Sequence, residues 1–155
     1  MGCNIHMFCE VFSKVLNKWE TVGAVFKNNC YRPERLPTIS DGEDSFSPFT
    51  LHPFQNRNYT LFTILAGVRS EGNLPIISEP RRLPKDVSPY VQRRSDEYDS
   101  DGHSHSFLTL AELEKFDWKP YLSDSNMAFF ALHVLQSLRK LKRFGEVRIV
   151  FWFDN

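Results

Sequence analysis

Apolar and polar positions along the chain mark out a few elements separated by long irregular stretches. In "NIHMFCEVF" the alternation predicts a strand, with Ile5, Met7, Cys9 and Val11 on one face and His6, Phe8, Glu10 and Phe12 on the other. His6 and Glu10 therefore share a face. A polar "SKVLNK" turn leads into "WETVGAVF", a second strand that completes a hairpin, with Gly23 in the position of a bulge. Helical spacing begins at "NRNYTLFTILAGVRSEG": Tyr59, Phe62, Leu65 and Ala66 form a stripe, Asn56 or Asn58 caps it, and Gly67 or Gly72 ends it. "LTLAELEKFDW" opens with Thr109 and Glu112 at capping-box spacing. "SDSNMAFFALHVLQSLRKLKRFG" is the strongest amphipathic helix, with Met127, Ala131, Val134, Leu138 and Leu141 on one side and Gly145 as the stop. The closing "EVRIVFWFDN" is apolar on both faces, which suits the centre of a sheet.

Two stretches lack a sustained period. Residues 28–56 hold Pro33, Pro37, Pro48, Pro53 and the acidic turn "SDGEDS", and residues 73–101 begin with "NLPIISEPRRLPKDVSPYVQRR". Both read as long loops, because proline withdraws a backbone donor and fixes φ. The expected architecture is a single α+β domain over residues 1–155. A small, mostly antiparallel sheet, built from the N-terminal hairpin with the C-terminal strand beside its first strand, packs against two or three helices.

Composition narrows the function classes. The 155 residues are 41% hydrophobic and include 14 Phe, 5 Tyr and 3 Trp, enough for one core. Nineteen basic residues balance nineteen acidic ones, so no net field draws the chain to nucleic acid or to an anionic membrane. Cys3, Cys9 and Cys30 are an odd, irregularly spaced set, and no leader-like pattern opens the chain, which predicts a reducing cytoplasm. No apolar run approaches the roughly 20 residues needed to span a bilayer.

Candidate chemistry centres on "DGHSHSF", just before a predicted helix start. Alternate residues of an extended segment point the same way, so His103 and His105 can approach one metal, and Cys3 with His6, spaced C-x-x-H, completes a zinc-type set. The competing reading has both histidines bonded to the polar loop at 94–101. A two-motif phosphodiesterase would need a second His-x-Ser/Thr elsewhere, which the chain lacks, and G-x-S-x-G, P-loop and G-x-G-x-x-G motifs are missing too. Arg57 falls at a helix start, where the dipole disfavours a cation unless an anion or a carboxylate joins it. Arg81, Arg82, Lys85, Arg93 and Arg94 precede the acidic "SDEYDSD", so they either neutralise it on a solvated face or bind phosphate.

"GCNIH", "RNYTLFTILAGVR", "PIISEPRRLPKDVSP", "DGHSHSFLTLAEL" and "VRIVFWFDN" together resemble a family of small, largely uncharacterised proteins encoded by tailed bacteriophages and prophages. The resemblance covers most of the chain apart from residues 13–56 and 119–144. It implies a small protein of the infected bacterial cytoplasm, of the kind used in host takeover or against host defence. The family pattern has Asp at the position of Asn4, where an amide is the poorer metal ligand, and Gly at that of Arg82. An Arg at 82 suggests that the loop requires no left-handed residue there.

Elements carrying Arg57, Arg81, Arg148, Asp154, His103 and His105 are expected to converge at one sheet edge, with His6 alongside. Such a set favours an anion, with Asp154 orienting a histidine or accepting from a ribose hydroxyl. Three function classes follow: a module that binds an anionic, nucleotide-like molecule, for instance to sequester a defence signal; a zinc-dependent hydrolase of a phosphorylated ligand; and a protein that binds and inhibits a host protein. The first leads. Self-association into a homo-oligomer stays open.

Overall fold

The computed structural model describes residues 2–39, 49–70 and 72–155, so the "SDGEDS" turn lies outside the described residues. In chain order the elements are β1 (Asn4–Ser13), β2 (Lys18–Val22), β3 (Val25–Phe26), β4 (Phe49–Thr50), α1 (Tyr59–Ala66), α2 (Pro89–Asp96), β5 (Gly102–Thr109) and α3 (Leu110–Lys115). A long helix follows, made of α4 (Ser125–Ala128), a π-helical stretch at Phe129–Val134 and α5 (Leu135–Leu141), and β6 (Val147–Asp154) ends the fold.

Pairing is antiparallel throughout, in the order β2-β1-β6-β5, with β3 and β4 forming a separate ribbon. The chain is thus one α+β domain. β6 lies between β1 and β5, as its two apolar faces require, and runs in register with β1 from Asn4↔Asp154 to Val11↔Val147. On one face Ile5, Met7, Cys9, Ile149, Phe151 and Phe153 pack against α1, α3 and the long helix. On the other, Phe8, Val150 and Trp152 meet Val91 of α2 with Ile39 and Leu51. The sheet is therefore the middle of three layers. Each fully buried Phe, Leu or Met side chain stabilises the fold by roughly 1.5–3 kcal/mol.

Local signals explain the helix ends. The Asn58 side chain accepts from the Leu61 N–H at 2.9 Å, and α1 stops at Gly67, whose φ of 70° suits a residue without Cβ. The Thr109–Glu112 capping box is formed at α3. All five inward positions expected on the long helix are buried.

Three expectations need correction. The second strand ends at Val22 because Gly23 is a close approach rather than a bulge: a Cβ there would fall 1.7 Å from the Phe49 ring of β4. The span 73–101 contains α2, whose Pro89 follows the Ser88 cap at a position where a missing N–H costs nothing. The extended segment from Gly102, left out of the expected sheet, is β5, a fourth strand at the sheet edge. Among the described residues, no helix is long and apolar enough to cross a membrane.

Candidate functional site

Strand register assembles the site. Asp154 pairs with Asn4 on one side and with Gly102 on the other, so the ends of β1, β6 and β5 lie in one row. His6, Asn4 and Asp154 project from the sheet face that carries Trp152. Arg57, one residue before the α1 cap, donates from Nη2 to Asn4 Oδ1 at 2.8 Å. Asn4 Nδ2 donates to Asp154 Oδ1 at 3.1 Å, and His6 Nε2 lies 2.9 Å from Asp154 Oδ2. Tyr98, just past α2, places its hydroxyl 3.0 Å from His6 Nδ1. A polar chain thus runs from Arg57 through Asn4, Asp154 and His6 to Tyr98.

Its chemistry follows from the donors available. With Nε2–H donating to the carboxylate, a neutral His6 ring leaves Nδ1 to accept from the Tyr98 hydroxyl. Burial works against the Asp154 charge, yet the hydrogen bonds from His6 and Asn4 hold its carboxyl below the usual range. Burial pushes the Tyr98 hydroxyl up, so it stays protonated at neutral pH. Both ring nitrogens of His6 are engaged, and the chain ends at an unactivated phenol. That arrangement orients hydrogen bonds and does not prepare a nucleophile.

The histidine pair is split. Ser104 has a φ of 55°, and the β5–β6 register shifts between His103 and Ser106. The bulge adds a residue and so turns the two rings to opposite faces: His103 stacks on Phe153 with ring centroids 6.2 Å apart, and His105 on Trp152 at 5.7 Å. His105 thus continues a row that His6 begins, since His6 stacks on the far side of the same Trp152 at 6.0 Å. Burial, and then the neighbouring His103, lower the pKa of His105. On the other face, His103 lies 3.4 Å from the Asn155 side-chain oxygen and 3.0 Å from the Ser104 hydroxyl. The loop at 94–101 therefore bonds His6, through Tyr98, instead of the pair.

Three more non-glycine residues with positive φ surround this end: Arg69 at 56°, Arg82 at 69° and Asp99 at 46°. Each costs on the order of 1–2 kcal/mol that glycine would not. Position 82 does adopt the left-handed conformation, contrary to expectation. Its N–H donates to the His105 carbonyl at 2.7 Å, which pins the proline-rich segment alongside β5.

Two expected ligand residues are elsewhere. Arg148 lies six positions before Asp154, roughly 20 Å along the strand. It is buried at the opposite end, where it donates to Glu10 Oε1 and Asp86 Oδ1. Arg81 forms a two-bond ion pair with Glu112 and so holds the proline-rich segment to α3. The zinc-type set is not assembled: His103 and His105 diverge, Cys3 is buried beneath the sheet end, and His6 is enclosed by Asp154 and Tyr98. Among the described residues, no group of three or more His, Cys, Asp or Glu side chains is placed to hold a metal ion.

What the structure brings together is therefore Arg57, Asn4, Asp154, His6 and Tyr98, with His105 beside His6 across Trp152 and His103 on the opposite face. Tyr98 sits in an acidic run and carries no spacing signal. Comparison with known proteins finds no matching family model, no matching curated protein and no matching solved structure.

Proposed function

We propose that this protein binds an anionic, nucleotide-like small molecule at the open end of its sheet. The observation that carries this reading is the half-exposed chain from Arg57 to Tyr98, with His105 beside it across Trp152. Arg57 supplies a planar fork of five N–H donors, of which the contact to Asn4 uses one. Asp154 is held ionised and is suited to a ribose or other hydroxyl donor, and Trp152 orders the imidazoles on either side. Binding is favoured over hydrolysis because both ring nitrogens of His6 are engaged and because, among the described residues, no group of three or more His, Cys, Asp or Glu side chains is placed to hold a metal ion. In the setting implied by the tailed-phage resemblance, such a protein acts in the cytoplasm of an infected bacterium by sequestering a small signal of host defence.

A thermal-shift screen of mono-, di- and cyclic nucleotides against wild type and Arg57→Ala tests the reading. One nucleotide class should raise the melting temperature of wild type, and the folded variant should lose that shift. A melting temperature unmoved by every class, or a shift retained in Arg57→Ala, overturns it.

A further inference from the structure

A cavity of about 580 Å³ opens beside the end of β5, walled by Pro80, Arg82, Leu83, Ser95, Ser104 and His105. Its volume lies in the range of roughly 300–1,000 Å³ usual for small-molecule sites. The proline-rich segment, α2 and β5 meet there. The bond from the Arg82 N–H to the His105 carbonyl, 2.7 Å long, fixes the first of these against the last.

Each segment brings to this wall a side-chain donor that has no partner among the described residues. Ser95 is 7% exposed, and a serine within a helix ordinarily bonds the carbonyl four residues back, yet its hydroxyl makes no bond to any described residue. His105 is held by its stack on Trp152, and neither of its ring nitrogens is hydrogen-bonded to a described residue. Burial, and then His103, lower its pKa, so near neutrality the ring is uncharged and offers one N–H. The Arg82 side chain is exposed and makes no ion pair among the described residues, whereas the adjacent Arg81 is taken up by Glu112. Among the described residues, the wall holds no carboxylate. Free donors from three directions with no acceptor between them suit an anion.

We infer that this cavity is the phosphoryl pocket of the ligand site and takes the terminal phosphate of a monoester, with Arg82, Ser95 and His105 on its oxygens. The inference rests on the open sheet end being a ligand site. A guanidinium fork, an imidazole N–H and a hydroxyl supply about four hydrogen bonds. A terminal phosphate has three free oxygens to accept them and carries close to two charges, roughly −1.5 to −2 at neutral pH, whereas the phosphate of a 3′,5′-cyclic nucleotide has two free oxygens and a single charge. Asp154, suited to a ribose hydroxyl, is carried by the neighbouring strand β6, on the order of 8 Å from His105 between backbones, a separation that a nucleoside monophosphate covers.

Calorimetric titration with the 5′-monophosphates of adenosine, guanosine, cytidine and uridine, with their 3′,5′-cyclic forms and with the free nucleosides tests this on wild type, Arg82→Gly, Ser95→Ala and Arg57→Ala. At least one monophosphate should bind one per chain, more than tenfold tighter than its cyclic form and its nucleoside. Glycine accepts the left-handed φ of 69° at position 82, so Arg82→Gly should melt close to wild type. It should weaken that monophosphate by about tenfold or more, and Ser95→Ala by about fivefold, with the affinities for cyclic form and nucleoside nearly unmoved. Arg57→Ala should instead weaken monophosphate and cyclic form alike. A cyclic form or nucleoside that binds as tightly as its monophosphate overturns the phosphoryl pocket. Monophosphate affinity unchanged in both Arg82→Gly and Ser95→Ala also overturns it, and its loss in Arg57→Ala at the same time leaves the ligand site standing. No binding of any monophosphate to wild type overturns the inference; the site itself falls only if no nucleotide class shifts the wild-type melting temperature.

Discussion

Glu10 with Arg148 and Asn4 with Asp154 are register pairs of the same two strands on the same sheet face, yet their surroundings are opposite. At the first, the side chains are 5% and 0% exposed for Arg148 and Glu10. Glu10 Oε2 accepts the Ser88 N–H at 2.7 Å, Arg148 also reaches Asp86, and the Trp19 ring covers the guanidinium at 3.8 Å. Every charge there has a partner inside the protein. At the second, His6 and Asp154 are each 20% exposed, and the covering layer stops at Tyr98. The segment through Asp86 and Ser88 closes one end of the face, and α2 leaves the other open. Burial with full satisfaction makes a polar group structural; the same chemistry left half open makes it available to a ligand.

The largest effect should come from the closed end. Glu10→Ala or Arg148→Ala leaves its partner charged, buried and unpaired, and should cost about 3–5 kcal/mol in denaturant unfolding. Replacing both residues by apolar ones of similar volume should recover most of that loss. At the open end Arg57→Ala should change stability by no more than about 0.5 kcal/mol, while ligand affinity falls roughly tenfold to a hundredfold. An Arg57 variant as unstable as the Arg148 variant would erase the contrast between the two ends.

Smaller effects should appear with pH. The hydrogen bonds from Arg81 hold the Glu112 carboxyl at about 2, against an ordinary value of 4.5. A carboxyl with a depressed folded value stabilises the fold fully above its unfolded pKa, and the contribution is lost as pH falls through the folded one. Arg81→Ala should therefore cost about 1 kcal/mol or less near neutrality, the pair being partly exposed, and the difference from wild type should vanish between about pH 4.5 and 2. His105 is the smallest case: its lowered pKa means that the folded chain binds its proton less readily than the unfolded chain. Stability should fall as pH drops below the ordinary 6.5, and His105→Gln should flatten part of that slope in pH-dependent melting curves.

Particular residues show where sequence reading reaches. The alternation in β1, the two-sided apolarity of β6 and the Thr109–Glu112 box each depend on near neighbours, and each appears in the fold as read. The meeting of His6 and Asp154, with Arg57 reaching them through Asn4, was legible because those residues lie on strand or helix ends. Arg148 misled because a guanidinium in a strand looks the same whether or not Glu10 and Asp86 meet it, and those partners lie 138 and 62 residues away. The pairing of His103 with His105 failed on one backbone angle, the positive φ of Ser104, which alternation takes no account of. Pro89 hid α2 because the same residue breaks a helix inside and starts one at its first position.

Amide chemical-shift mapping by NMR during titration with the stabilising nucleotide tests the contrast between the two ends most directly. A cavity of about 410 Å³ between Trp19, Phe107 and Arg148 at the closed end offers the rival location within the same molecule. The largest perturbations should fall on Asn4, His6, Arg57, Tyr98 and the residues around Ser104, with Glu10, Trp19 and Arg148 unmoved. Perturbations centred on Trp19 and Arg148 would contradict the account, and would make the closed end the place where this protein meets its ligand.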